Sequence, residues 1–174
     1  MTTIAWIGLG HMGTPMSAHL VAAGHTVQGF DLNPAACEAA AAHGVTIADS
    51  MITALRGAEA VFTSLPMPTH VRAVYDGPEG IWANAEPHAF LMDTSTVDVE
   101  TSRWCHEGSQ AAGFAFVDAP VSGGTAGADA GTLTFMLGGS ADHLARAAGY
   151  VAPMAGSVIR CGRDGNGIAA KRVN

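Results

Sequence analysis

Gly8-Leu9-Gly10-His11-Met12-Gly13 lies between an apolar run, Thr3 to Ile7, and a helix-periodic segment reaching Ala23; no other stretch restricts the fold so tightly. It reads as strand, glycine turn and helix. Chance matches to G-x-G-x-x-G are common in a chain with 22 glycines, but a strand before and a helix after give the spacing meaning. Gly8 permits the tight turn, Gly10 lets the backbone approach a diphosphate, and Gly13 lets the helix pack closely on the strand. Unpaired amides and the macrodipole at the helix start then favour the anion. The alternative is an ordinary glycine turn.

Met12, Met16 and Leu20 share one helical face, and Gly24 follows as a C-terminal cap. The second strand, Thr26 to Phe30, ends at Asp31, 18 positions after Gly13, where an acidic side chain hydrogen-bonds an adenosine ribose. A carboxylate there repels a 2'-phosphate, and Leu32 and Asn33 supply no arginine, so NAD is expected rather than NADP. Asp31 is also compatible with capping the helix that starts near Pro34. Further strands are predicted at 45–47, 60–64, 89–92, 115–118, 133–137 and 157–161, alternating with helical segments. This alternation predicts an α/β fold with a doubly wound, mostly parallel sheet of Rossmann type.

Ligands of such sheets bind beyond the carboxyl ends of the strands, so the segments there carry the candidate site. Leu65-Pro66-Met67-Pro68 forms an extended turn after the fourth strand, and His70 is read as a packing or capping residue of the short helix that follows. Asp93-Thr94-Ser95-Thr96 follows the fifth strand. Asp98 caps the next helix, which leaves Ser95 and Thr96 for ligand contact. The sixth strand leads into a small-residue loop reaching Gly131, in which Ser122, Gly123 and Gly124 are candidates for binding a carboxylate. A mobile surface loop is the equal alternative. Lys171 is the only lysine beside seven arginines, and a lysine amine can exchange protons where arginine is locked in its charged form. A codon bias explains the arginines but leaves the one lysine unexplained.

The 174 residues suit one domain, and 48% apolar with 13% charged residues suits a compact, buried core. A net charge of -7 disfavours nucleic acid and anionic membrane surfaces as partners. With no run long enough for a membrane span and no secretory pattern at the start, a cytoplasmic location is expected. Cys37, Cys105 and Cys161 read as reduced thiols, and the scattered histidines give no ligand spacing, so no metal is expected.

Taken together, the sequence resembles the β-hydroxyacid dehydrogenase family over nearly its whole length. The resemblance rests on Gly8-Leu9-Gly10-x-Met12-Gly13, on Leu65-Pro66 with His70-Val71 and Val74-Tyr75, and on Asp93 to Thr96. It rests more specifically on Asp118-Ala119-Pro120-Val121-Ser122-Gly123-Gly124 with Gly131-Thr132-Leu133-Thr134, and on Gly165-x-Gly167-x-x-x-Lys171-x-x-Asn174. The resemblance implies oxidation of a 3-hydroxy acid, such as 3-hydroxyisobutyrate, to its semialdehyde with a nicotinamide cofactor. It implies that Leu65, Pro66 and Thr96 join Gly8, Leu9, Gly10, His11, Met12, Gly13 and Asp31 around the cofactor. Ser122, Gly123 and Gly124 would hold the substrate carboxylate, with Ser95 and Asn174 beside them, and Lys171 would be the acid/base on a helix started by Gly165 and Gly167.

The family also carries a second asparagine after Asn174 and a C-terminal all-helical domain of over a hundred residues, both absent from these 174 residues. Residues 1–162 then correspond to the NAD-binding domain, and 163–174 to the start of the interdomain helix with its lysine. The substrate cleft lies between the family's two domains, so this stretch alone is expected to be poorly active, with homo-oligomers forming in the full-length protein. The competing expectation is a nucleotide-binding module or assembly partner without chemistry of its own. Within the family, a sugar-phosphate substrate needs basic residues that this acidic chain hardly has, and retention of Lys171 speaks against an imine reductase.

Overall fold

The computed structural model describes residues 2–173, so Asn174 lies outside the described residues. The chain runs β1 (Thr3–Ile7), α1 (Gly13–Ala22), β2 (Thr26–Phe30), α2 (Pro34–Ala41), β3 (Thr46–Ile47), α3 (Met51–Leu55), β4 (Ala60–Thr63), α4 (Pro68–Tyr75), α5 (Ile81–Asn84) and β5 (Phe90–Asp93). It continues with α6 (Val99–Ala111), β6 (Ala115–Asp118), β7 (Val121–Ser122), α7 (Gly124–Ala130), β8 (Leu133–Leu137), α8 (Ala141–Val151), β9 (Ala155–Arg160) and α9 (Asn166–Val173). No helix of the described residues is long and apolar enough to cross a membrane.

Six strands pair in parallel in the order β3-β2-β1-β4-β5-β6. This is the Rossmann order, and its direction reverses between β1 and β4, which opens a crevice at their carboxyl ends. The central strands are apolar on both faces because helices cover both. Alternation splits them: Trp6, Phe62 and Met92 enter the core beneath α1 and α8, while Ala5, Val61 and Leu91 enter the one beneath α3 to α6. Trp6 and Phe62 stack with ring centroids 4.8 Å apart, which fills the centre of the first core.

β8 and β9 do not extend the main sheet. They form a second sheet in the order β7-β8-β9, in which β7 is antiparallel to β8 and β8 is parallel to β9. The stretch expected as a loop up to Gly131 is largely the helix α7. Its small residues let it lie close to α1, Gly131 ends it in the left-handed conformation, and the His19 ring bonds the carbonyls of Ala128 at 2.8 Å and Asp129 at 3.0 Å. Both partners are acceptors, so His19 Nε2 carries the proton. Asn33, not Asp31, caps α2, accepting from Ala35 N at 3.0 Å, and Asp98 caps α6 as its spacing predicts. His70, expected to pack or cap, is exposed on α4.

Replacing His19 by Ala removes the donor that caps the C-terminal carbonyls of α7. The expected cost is about 1 kcal/mol in urea unfolding, with faster hydrogen exchange around Gly131. An unchanged unfolding midpoint and exchange pattern would show that α7 is held without it.

Candidate active site

The three glycines of the first turn differ in what surrounds them. Gly8 has φ of +101°, and a Cβ there would strike the carbonyl of Ser64; a Cβ on Gly13 would strike the carbonyl of Gly8 and come within 2.9 Å of Trp6 Nε1. Both are glycine because the protein itself leaves no room. A Cβ on Gly10 would meet nothing within 4 Å, and its φ is not positive. The protein's own packing gives Gly10 no reason to be glycine, so the open space above it fits a diphosphate lying on the backbone at the start of α1.

Asp31 ends β2 beside this turn. One carboxylate oxygen accepts Leu9 N at 2.7 Å and the other accepts Asn33 N at 2.7 Å. These amides fix the carboxylate and leave lone pairs for a pair of ribose hydroxyls. Leu32 and Asn33 beyond it are exposed, and neither brings a positive charge to the place where a 2'-phosphate would sit. The residues present therefore fit a dinucleotide whose ribose is unphosphorylated.

From the turn, a cleft of about 290 Å³ extends along the carboxyl ends of the strands. Met12 and Met16 form one wall, Leu65 and Pro66 the next, Thr94, Ser95 and Thr96 the floor, and Val121, Gly124 and Lys171 the far side. Seven sequence-predicted site residues thus meet in one space: Met12, Leu65, Pro66, Ser95, Thr96, Gly124 and Lys171. Ser122 and Gly123 are not part of its lining. Ser122 pairs with Thr134 in the second sheet, and Gly123, with φ of +133°, turns the chain into α7.

Ser95 is buried, and its hydroxyl is engaged twice. It donates to Asp93 Oδ1 at 2.7 Å and accepts from Leu65 N at 2.8 Å, so only one lone pair is left for a ligand. Asp93 Oδ1 also accepts Thr63 Oγ1 at 2.8 Å and Ser95 N at 3.2 Å. Burial pushes the Asp93 carboxyl up to about 6, against the hydrogen bonds from Ser95 and Thr63, which favour the ionised form.

Lys171 reaches the cleft because α9 is pinned at its start. Asp118, buried at the end of β6, accepts Gly165 N at 3.0 Å and Ile168 N at 2.9 Å, and binds His106 Nε2 at 2.6 Å. The other His106 nitrogen faces Asp164 at 3.3 Å. Asp118 thus caps a helix 50 residues further along the chain. Sequence reading missed this pairing, and its only local signal was an acidic residue ending a strand at the edge where ligands bind.

With this geometry in view, the comparisons with known proteins agree with one another. Residues 3–162 match the family model described as the NAD binding domain of 6-phosphogluconate dehydrogenase. All 174 residues align at 48% identity with a probable 3-hydroxyisobutyrate dehydrogenase of Mycobacterium tuberculosis, and at 41% with an NAD-dependent L-serine dehydrogenase of Pseudomonas aeruginosa. The chain spans 58% of the length of each. A solved structure of the Mycobacterium tuberculosis 3-hydroxyisobutyrate dehydrogenase with L-serine superposes with a TM-score of 0.96 at 48% identity, covering all of this chain and 59% of that one.

The glycines give a paired expectation. Gly10→Ala leaves the fold intact but weakens nucleotide binding by on the order of tenfold or more, because its methyl occupies the diphosphate's place. Gly13→Ala instead costs more than about 2 kcal/mol of stability by overpacking. Denaturant unfolding read beside calorimetric titration with NAD separates the two, and equal effects on both quantities would contradict the assignment.

Proposed function

This chain belongs to the family of NAD binding domains of 6-phosphogluconate dehydrogenase, and we propose that it is the cofactor-binding part of an NAD-dependent dehydrogenase acting on a 3-hydroxy acid such as 3-hydroxyisobutyrate. The observation that carries the reading is Lys171 in the same cleft as Leu65, Pro66 and Thr96, one wall away from the glycine turn. The nicotinamide, when bound, supplies the acceptor for the hydride of the carbinol carbon. Lys171 Nζ takes the hydroxyl proton as that hydride leaves, a role that none of the seven arginines can fill.

The remaining residues orient. Leu65 and Pro66 give the cofactor ring an apolar wall, Thr96 offers an exposed hydroxyl on the cleft floor, and the turn through Ser122, Gly123 and Gly124 offers backbone amides to the substrate carboxylate. Asn174 would complete the substrate contacts. L-serine, named in the superposed structure, carries the same 3-hydroxy carboxylate and falls within the proposed class. A homo-oligomer, which the family resemblance supports, belongs to this same proposal, as does cytoplasmic residence.

Calorimetry is expected to show saturable NAD binding, with NADP weaker by on the order of a hundredfold. Like charges about 4 Å apart near a protein surface oppose one another by a few kcal/mol. Asp31→Ser should shrink that difference, and equal affinities in the unaltered chain would sink the NAD assignment. In the protein extended at its C-terminus to the length of its relatives, Lys171→Arg should cut turnover of 3-hydroxyisobutyrate or L-serine by about 10²- to 10⁴-fold. Binding of NAD without turnover of either acid by the unaltered extended protein would leave a nucleotide-binding module.

A further inference from the structure

Asp93 carries out a task that the catalytic scheme above does not use. It ends β5 and is 3% exposed. Its ion pairs would have to be with a cation, and no Lys, Arg or His of the described residues forms one with it. The titratable groups facing it are Tyr75 from α4, Cys105 from α6 and Asp118 from β6, none of them a cation. A buried carboxylate in such surroundings costs stability, and a neutral side chain of the same shape would remove that cost.

Proton positions in the network are fixed by counting. Thr63 has one hydroxyl proton and gives it to Asp93, so the Tyr75 hydroxyl, 2.9 Å away, must donate to Thr63. Ser95 gives its one proton to the same carboxylate oxygen, so its lone pair is turned toward Leu65 N. Pro66 and Pro68 carry no amide hydrogen, which leaves their turn few donors for an anchor. Leu65 N is one of those few, and its partner is the hydroxyl that Asp93 orients.

We infer that Asp93 is a positioning residue for the cofactor: through the Ser95 hydroxyl it holds the Leu65–Pro66 turn in the geometry that receives the nucleotide. The inference rests on the proposed cofactor site. Hydrogen bonds to an ionised acceptor are about twice as strong as those to a neutral one, so the tether is tight while Asp93 is charged and loosens when it takes a proton. Its carboxyl sits at about 6, which places that change between mildly acidic and neutral solution.

Stability and binding then respond to acid in opposite directions. An acid whose folded value is raised is held protonated more firmly by the folded chain. The stability it contributes is fully present below its unfolded value of 3.8 and is lost as pH rises through about 6. Nucleotide affinity follows the charge and increases over the same range. A purely structural role would move the two together.

The test is NAD titration of the 174-residue chain between about pH 5 and about pH 8, with thermal unfolding at each pH, for the unaltered protein, Asp93→Asn and Ser95→Ala. The unaltered chain should lose affinity about fivefold on going to the acid end, the factor that one hydrogen bond is worth. Asp93→Asn should bind about fivefold more weakly near neutrality, without that inflection, while unfolding at a higher temperature. Ser95→Ala removes the hydroxyl that joins Asp93 to Leu65 and leaves Asp93 its bonds from Thr63 Oγ1 and Ser95 N. It should also be weaker and lack the inflection, whereas a Ser95 that merely touches the ligand would leave the inflection in place. The inference is overturned by an inflection that survives in both variants, by full affinity in Asp93→Asn at neutral pH, or by affinity and stability falling together. Absence of NAD binding by the unaltered chain at every pH would instead remove the cofactor site on which it rests.

Discussion

The site depends first on one close approach, that of Gly13 to the carbonyl of Gly8. The same carbonyl accepts the Trp6 indole at 2.9 Å, and Trp6 is itself stacked on Phe62 of the neighbouring strand. The start of α1 is thereby seated against the middle of the sheet and not merely beside its edge. Thr14 Oγ1 then bonds the Leu9 carbonyl at 2.8 Å, and Leu9 N faces the Asp31 carboxylate. The cradle, its acidic neighbour and the direction of α1 are consequences of this single packing constraint. Further along α1, His19 takes hold of α7, so the constraint reaches the second sheet as well.

That local chain of causes explains what could be read from the sequence. The main strands and most helix limits were legible because they follow from apolar runs, caps such as Asp98, and glycines that must turn left-handed. The glycine turn between β1 and α1 was legible because its residues are close in sequence and Gly8 and Gly13 each have a separate steric reason. The helix α7 was not, because Gly124 to Ala130 carries no apolar stripe, and its stability comes from α1 and β8 across the fold. The short helix α5 was hidden for a similar reason: four residues cannot establish a period. Ser95 was legible as a residue of the ligand edge, but the commitment of its proton to Asp93 depends on a partner set that only the folded chain assembles.

The carboxylates show most clearly what a one-dimensional reading leaves out. Asp93 and Asp118 stand opposite one another at the ends of β5 and β6, both buried at the edge where the ligand is expected. Placing two acids side by side in an apolar interior is unfavourable, and the repulsion from Asp118 adds to the burial that raises Asp93. The two have different partners. Asp118 is surrounded by an imidazole and two helix-start amides, whereas Asp93 has two neutral hydroxyls and one amide.

The difference in partners assigns them different parts of one task. Asp118 fixes where α9, and with it Lys171, meets the cleft; Asp93 fixes where the Leu65–Pro66 turn meets it. In the proposed function those are the two walls between which the hydride would leave the carbinol carbon and the proton its hydroxyl oxygen, and transfer of both requires that their separation be held closely. A pair of neighbouring strands is the most rigid element from which to set that separation, because their register is locked by the sheet. The repulsion between the acids is then the cost of anchoring both walls to the same sheet edge, and Asp93, held by two hydroxyls and one amide, is a carboxyl that burial pushes toward its neutral form.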